Sequence, residues 1–204
     1  MKIYIIDCGL GNINSITKCI ESLGYEPEIA QIPEKLNDVD KIIFPGVGSF
    51  HKAMDNILKY GWYNILREKI LSDNVHFLGI CLGMQLLATT GHEYKKTSGL
   101  SIINGEVESL IYNGCKLTIP HIGWNNITFD QNNPLFKNIK HDTDFYFDHS
   151  YSLNKTNEDQ IIATSNHGIN IVAAINKEKI FGVQFHPEKS SNSGKQLLKN
   201  FLEL

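Results

Sequence analysis

The sequence predicts an α/β fold, a mostly parallel central sheet flanked by helices with an antiparallel β extension. Two observations carry this. Through the first ninety residues, short apolar β-branched runs alternate with stretches of helical spacing, the pattern of strands joined by crossover helices. After Gly99 the texture changes to short alternating runs separated by Asn, Gly and Asp, which read as hairpins added at one edge of the sheet.

Residues 2–6 form the first strand and end in Asp7-Cys8-Gly9-Leu10-Gly11-Asn12, after which Ile13, Ile16, Ile20 and Leu23 recur at helical spacing until Gly24. A weak strand is predicted at 27–32 and a buried one at 41–44, stopping in Pro45-Gly46-Val47-Gly48. A helix beginning at Ser49 carries Ala53, Ile57 and Leu58 inward, the helical pattern continues over 62–71, and an apolar strand at 75–80 arrives at Cys81 and a further helix. Later strands are predicted at 106–111, 116–119, 144–147, 160–165, 171–175 and 180–185, and a last helix at 193–202.

The 204 residues suit one domain, 1–204, with a sizeable core. A formal charge of −3, with 20% charged residues and Lys95-Lys96 as the notable basic pair, leaves no footprint for nucleic acid. Cys8, Cys19, Cys81 and Cys115 form no CxxC pair and match neither a zinc spacing nor a disulfide framework. The first apolar run is too short for a signal peptide or a membrane span. The expectation is a cytoplasmic protein with small-molecule or protein partners, no membrane, no metal and no organic cofactor.

Gly79-Ile80-Cys81-Leu82-Gly83 has the G-x-nucleophile-x-G form of a nucleophile elbow, in which a sharp strand-to-helix turn exposes the central side chain above a sheet. A helix N-terminus behind Cys81 would favour its thiolate and supply N–H groups to an oxyanion. The same pentapeptide also suits a buried small cysteine between packing glycines, so by itself it leaves both readings open.

A thiol needs a base, and the base a partner that orients it. In Gly182-Val183-Gln184-Phe185-His186-Pro187-Glu188, His186 follows an apolar strand, and Glu188 could reach its ring if alternate residues at the strand end share a side. His149, in Tyr146-Phe147-Asp148-His149-Ser150-Tyr151, competes for the role, but adjacent strand side chains face opposite ways, so Asp148 is badly placed to orient it. His149 is better read as substrate-contacting or structural. His121 and Trp124, in Pro120-His121-Ile122-Gly123-Trp124-Asn125, read as a loop that marks either a contact surface or a plug at the sheet edge.

Pro45-Gly46-Val47-Gly48 lies at the carboxyl edge of the sheet, where open α/β folds bind ligands. It lacks the Lys-Ser/Thr of a phosphate loop, so a backbone donor to an oxyanion is its better use. The Gly9-Leu10-Gly11 loop is explained equally by a tight turn.

PGVGSF, GICLGMQLL, PHIGWN, YFDHSY and GVQFHPEKS, in this order, resemble the glutaminase subunits of imidazole glycerol phosphate synthase, within the class I, triad-type glutamine amidotransferases. The resemblance covers nearly the whole chain. It implies that Cys81 attacks the side-chain amide of L-glutamine, that His186 passes the proton to the leaving ammonia, and that Glu188 orients His186. It further implies oxyanion donors from Leu82 and from the Val47-Gly48 segment, glutamine contacts from Gln85, His149 and Ser150, and a partner interface including Trp124 and Lys189, with His121 beside them. The implied partner is a (β/α)8-barrel cyclase, forming a heterodimer that receives ammonia for histidine biosynthesis. Asp7-Cys8-Gly9, where the family usually has a tyrosine before the glycine, and Asp148, where an apolar residue is usual, are departures. Paralogous subunits that supply ammonia for surface-polysaccharide sugar modification are the alternative. A cysteine peptidase or γ-glutamyl hydrolase on the same fold would share the three reactive residues, but not Gln85 and the PHIGWN segment.

Overall fold

The computed structural model describes residues 1–11 and 13–204; Asn12, the last residue of the Asp7–Asn12 sequence stretch, lies outside the described residues. The first half alternates as the sequence predicts: β1 (Ile3–Ile6), α1 (Ile13–Glu21), β2 (Glu28–Ala30), β3 (Lys41–Gly46), α2 (Phe50–Lys59), α3 (Trp62–Ile70), β4 (His76–Cys81) and α4 (Leu82–Gln85). Short strands follow: β5 (Thr90–Gly91), β6 (Thr97–Ser98), β7 (Glu106–Ser109), β8 (His121–Asn126), β9 (Thr128–Phe129), β10 (Asp144–His149) and β11 (Tyr151–Asn154). β12 (Ile161–Asn166), β13 (Asn170–Lys177), β14 (Ile180–Val183) and α5 (Ser191–Glu203) complete the chain.

The main sheet has the order β2-β1-β3-β4-β14-β13-β12-β9. Its β2-to-β14 half is parallel, whereas β14 to β9 pair antiparallel. This is the expected fold class. Strand alternation divides the apolar residues between two faces. Tyr4, Ile6, Ile42, Phe44 and Phe77 join Phe50, Met54, Trp62 and Leu66 of α2 and α3 on one side. Ile3, Ile5, Ile43, Leu78 and Ile80 join Ile16 and Ile20 of α1 and Leu198 and Phe201 of α5 on the other. Burial on both faces explains why these strands read as continuous apolar runs, each fully buried Leu, Ile or Phe contributing roughly 1.5–3 kcal/mol.

Two smaller sheets sit beside the main one: a β8–β10 ribbon, and a four-stranded sheet in the order β11-β7-β5-β6. The ribbon corrects the sequence reading. Residues 116–119, predicted as a strand, are irregular, bent chain, and the segment read as a loop, His121–Asn126, is β8 instead. Alternation alone does not make a strand. β8 exists because β10 pairs with it, with His149 opposite His121 and Tyr146 opposite Trp124. Leu58, predicted to face inward, is exposed, because the buried stripe of α2 runs through Phe50, Ala53, Met54 and Ile57.

Candidate active site

The parallel register assembles the site at the carboxyl edge of the sheet. Gly46 lies opposite Cys81, and Val183 lies opposite Ile80, so the segments leaving β3 and β14 emerge on either side of Cys81. Cys81 ends β4 with φ 52° and ψ −109°, a conformation that costs roughly 1–3 kcal/mol and that the surrounding packing must hold. The flanking glycines permit it. A Cβ at Gly83 would meet the Phe44 carbonyl oxygen at 1.8 Å, and one at Gly79 would meet the Gly83 carbonyl oxygen at 2.6 Å. The helix behind Cys81 is only four residues long. Its contribution is therefore local N–H groups such as that of Leu82, the first helical residue, rather than the long dipole the sequence suggested.

His186 lies beside Cys81, and its Nδ1 is 2.8 Å from Glu188 Oε1, with both side chains buried. The pairing does not arise from strand alternation as expected: β14 ends at Val183, and Glu188 sits in a 3-10 turn, Pro187–Lys189. That turn is tied to β10. The His186 N–H donates to the Tyr146 carbonyl at 2.8 Å, the Tyr146 N–H to Ser190 Oγ at 3.0 Å, and the Ser190 hydroxyl to the His186 carbonyl at 2.6 Å. Burial alone would lower the His186 pKa, but hydrogen bonding and charge from Cys81 and Glu188 outweigh it and hold the pKa well above the ordinary imidazole value. An imidazole so placed is ready to take a thiol proton.

A cavity of about 140 Å³ opens on Cys81, and Val47, Gly48, Leu82, Gln85, His149 and Ser150 all line it. Glu93, Asp148 and Tyr151 line it too. Glu93 and Tyr151 carry no sequence signal for this role, since the loop bringing Glu93 in has no motif. Glu93 Oε2 accepts the Phe50 N–H at 2.7 Å, capping α2 in place of the Ser49 side chain. The Val47 N–H donates to the Leu10 carbonyl at 2.5 Å, so in this conformation it is committed away from an oxyanion. Gly48 follows with φ 103°.

His149 faces the cavity, while Asp148 on the opposite face of β10 lies 3.8 Å from Lys189 Nζ, which agrees with Asp148 being unable to orient it. His121 departs from the expected contact surface. It is buried, stacked between Phe147 and His167 at centroid distances of 4.6 and 4.1 Å, and both of its ring nitrogens meet groups of the chain. Trp124 and Lys189 meet the outer environment: Trp124 is exposed, stands edge-to-face on Tyr146 at 6.1 Å, and Lys189 Nζ lies 5.3 Å from the same ring.

Among the described residues, one cluster, His92, Glu106 and Glu108, brings potential metal-ligand atoms together. The Lys155 ammonium already fills that place, bonding Glu106 and lying 3.0 Å from Glu108 Oε1. No helix is long and apolar enough to cross a membrane among the described residues.

Comparison with known proteins follows the same lines. A family model described as glutamine amidotransferase class-I matches residues 4–204. The chain is 42% identical over 202 residues to imidazole glycerol phosphate synthase subunit HisH 1 of Campylobacter jejuni, covering 99% of this chain and 100% of that protein. It is 41% identical to the HisH subunit of Moorella thermoacetica, covering 99% and 94%, and 43% identical to that of Buchnera aphidicola, covering all of both. Among solved structures, one titled as a glutamine amidotransferase superposes with a TM-score of 0.77 at 17% identity, covering 98% of this chain and 97% of the other. PurLQS from Thermotoga maritima superposes with a TM-score of 0.71 at 17% identity, over 99% and 97%. At these identities the structural likeness establishes the fold.

Proposed function

This chain belongs to the class-I glutamine amidotransferase family, and from that premise we propose that it is the glutaminase subunit of an imidazole glycerol phosphate synthase, supplying ammonia for histidine biosynthesis. The observation that carries the reading is Cys81 in a strained elbow, beside a buried His186 held at 2.8 Å by Glu188. Full-length relatives that are 38–43% identical and bear that synthase's name support the pathway.

In the proposed mechanism, His186 Nε2 takes the Cys81 proton and the sulfur attacks the carbonyl carbon of the glutamine side-chain amide, forming a tetrahedral oxyanion. His186 returns the proton to the amide nitrogen, the C–N bond breaks, and ammonia leaves a thioester on Cys81. Water, activated by His186, then attacks the thioester carbon, releasing glutamate and restoring the thiol. Glu188 holds the imidazole by its Nδ1–H throughout and stabilises the imidazolium. The Leu82 N–H supplies one oxyanion donor. The second comes from the Val47-Gly48 segment once the Val47 N–H leaves the Leu10 carbonyl, a rearrangement we assign to docking of the partner. Gln85, His149 and Ser150 surround the substrate, and the Glu93 carboxylate meets its α-ammonium.

The partner is a (β/α)8-barrel cyclase docked over Trp124 and Lys189, which takes ammonia without release to solvent. With that partner present, Cys81→Ala abolishes glutamine hydrolysis, while product formation from free ammonium salt continues. Ammonia release from glutamine by the Cys81→Ala complex would overturn the assignment.

A further inference from the structure

A buried glutamine that the sequence analysis passed over lies against the reactive sulfur. Gln184 follows β14 directly, and the parallel register that sets Val183 opposite Ile80 carries it alongside Cys81. Its side chain is fully buried. Nε2 lies 3.7 Å from Cys81 Sγ, and Oε1 lies 3.1 Å from Gln85 Nε2. The carbonyl of Tyr151 determines which way both amides point. It can only accept, and it lies 2.8 Å from Gln85 Nε2, so that end of Gln85 is the NH2 group. The Gln184 oxygen must then face Gln85, and its NH2 group must face the sulfur.

We propose that Gln184 is a positioning residue for the glutaminase reaction, donating an N–H to Cys81 Sγ that aims the sulfur at the cavity and favours its thiolate form. The proposal rests on the reading of Cys81 as the nucleophile. An N–H donor binds a thiolate more strongly than a thiol, because the acceptor carries full charge. The other groups around the sulfur act differently. The Asp148 carbonyl, 3.9 Å from Sγ, accepts the thiol hydrogen and favours the neutral form. His186 exchanges its proton with the sulfur, while Glu188 behind it and Glu93 at the cavity wall oppose a further negative charge; the Asp148 carboxylate faces Lys189 on the other side of β10. His149, neutral and bonded to the Tyr151 carbonyl through Nδ1 at 2.9 Å, holds the acceptor on which Gln85 and hence Gln184 depend. Gln184 does not titrate, so its donor is present at every pH.

The test is the pH profile of Cys81 alkylation by iodoacetamide in the full chain, followed by mass spectrometry of the Cys81 peptide, with no glutamine present. Gln184→Met, similar in length but without a donor, moves the lower limb of the profile up by about one pH unit. Gln184→Glu, which still accepts from Gln85 but turns an oxygen to the sulfur, moves it further. In the parent chain, the side-chain amide NMR signals of Gln184 shift with the same midpoint as that limb. Folded variants with the parent profile, or amide signals that do not move through the midpoint, overturn the proposal. Because the profile is read without substrate, failure of the parent complex to hydrolyse glutamine would remove the functional reading while leaving the donation from Gln184 to the sulfur to stand or fall on the profile alone.

Discussion

His121 Nδ1 lies 3.0 Å from His149 Nε2 in a pair with both rings buried, and the surrounding acceptors dictate its protons. His149 Nδ1 lies 2.9 Å from the Tyr151 carbonyl and must donate to it, so His149 Nε2 accepts and His121 Nδ1 carries a hydrogen. His121 Nε2 in turn accepts from Asn125 Nδ2 at 3.1 Å. Both rings are neutral. Burial lowers the pKa of His149 to about 4, and burial with neighbouring His149 and His167 lowers that of His121 to about 3.

Acid should therefore destabilise the chain through these rings. Between the ordinary histidine pKa and about 4 the unfolded state binds protons that the native state refuses, so stability is intact above that window and falls as pH drops through it. The loss by the acid end is on the order of 3 kcal/mol per ring as an upper figure. His186, whose pKa is raised, is protonated in both states there and adds nothing to the slope. Urea midpoints measured at successive pH values should show the decline. His121→Phe should flatten it and, by leaving His149 Nε2 unpaired, cost about 1–3 kcal/mol at neutral pH.

Glu188→Gln should keep the fold and lose the orientation of His186. Removing the charge that holds and stabilises an imidazolium costs about 10²- to 10⁴-fold in kcat. Steady-state glutamine hydrolysis in the complex checks this, with KM changing little.

Gly83→Ala should be among the most damaging single-methyl additions, since the new Cβ would lie 1.8 Å from the Phe44 carbonyl oxygen, which is backbone and cannot swing aside. A cost of at least about 3 kcal/mol is expected. Gly114→Ala is the control: its φ of 91° is strained for alanine, but nothing lies within 4 Å, and about 1–2 kcal/mol is expected. Urea denaturation of both variants gives the comparison.

Trp124→Ala should leave stability nearly unchanged, because the residue is 52% exposed. On the proposed function its effect belongs to association. A tryptophan at the centre of an interface is worth about 2 kcal/mol or more, so a roughly 30-fold rise in Kd for the proposed partner subunit is expected by titration calorimetry.

The grouping of Cys81, His186 and Glu188 was legible because each sits in a local signal: Cys81 between two glycines after an apolar strand, and His186 and Glu188 around a proline that follows another. Glu93, Tyr151 and Gln184 were not. Glu93 comes from a loop, Tyr151 acts through its carbonyl, which has no sequence identity, and Gln184 is placed by a strand register. A glutamine between Val183 and Phe185 in an apolar run was the one available hint, because an unpaired polar group there would be costly. The β8 error has the same origin: residues 116–119 have the alternation, but His121–Asn126 have the partner.

The sequence by itself determined the alternating α/β order, the two-faced burial of the parallel strands and the elbow at Cys81, because periodicity, glycine placement and chain ends act over a few residues. Only the tertiary structure decided that His121 is a buried neutral partner of His149, that the Val47 amide is turned to Leu10, and that Gln184 reaches the sulfur. Those are hydrogen bonds between groups brought together by strand pairing and folding, and a hydrogen bond is specified by distance and direction in space, which residue spacing does not encode.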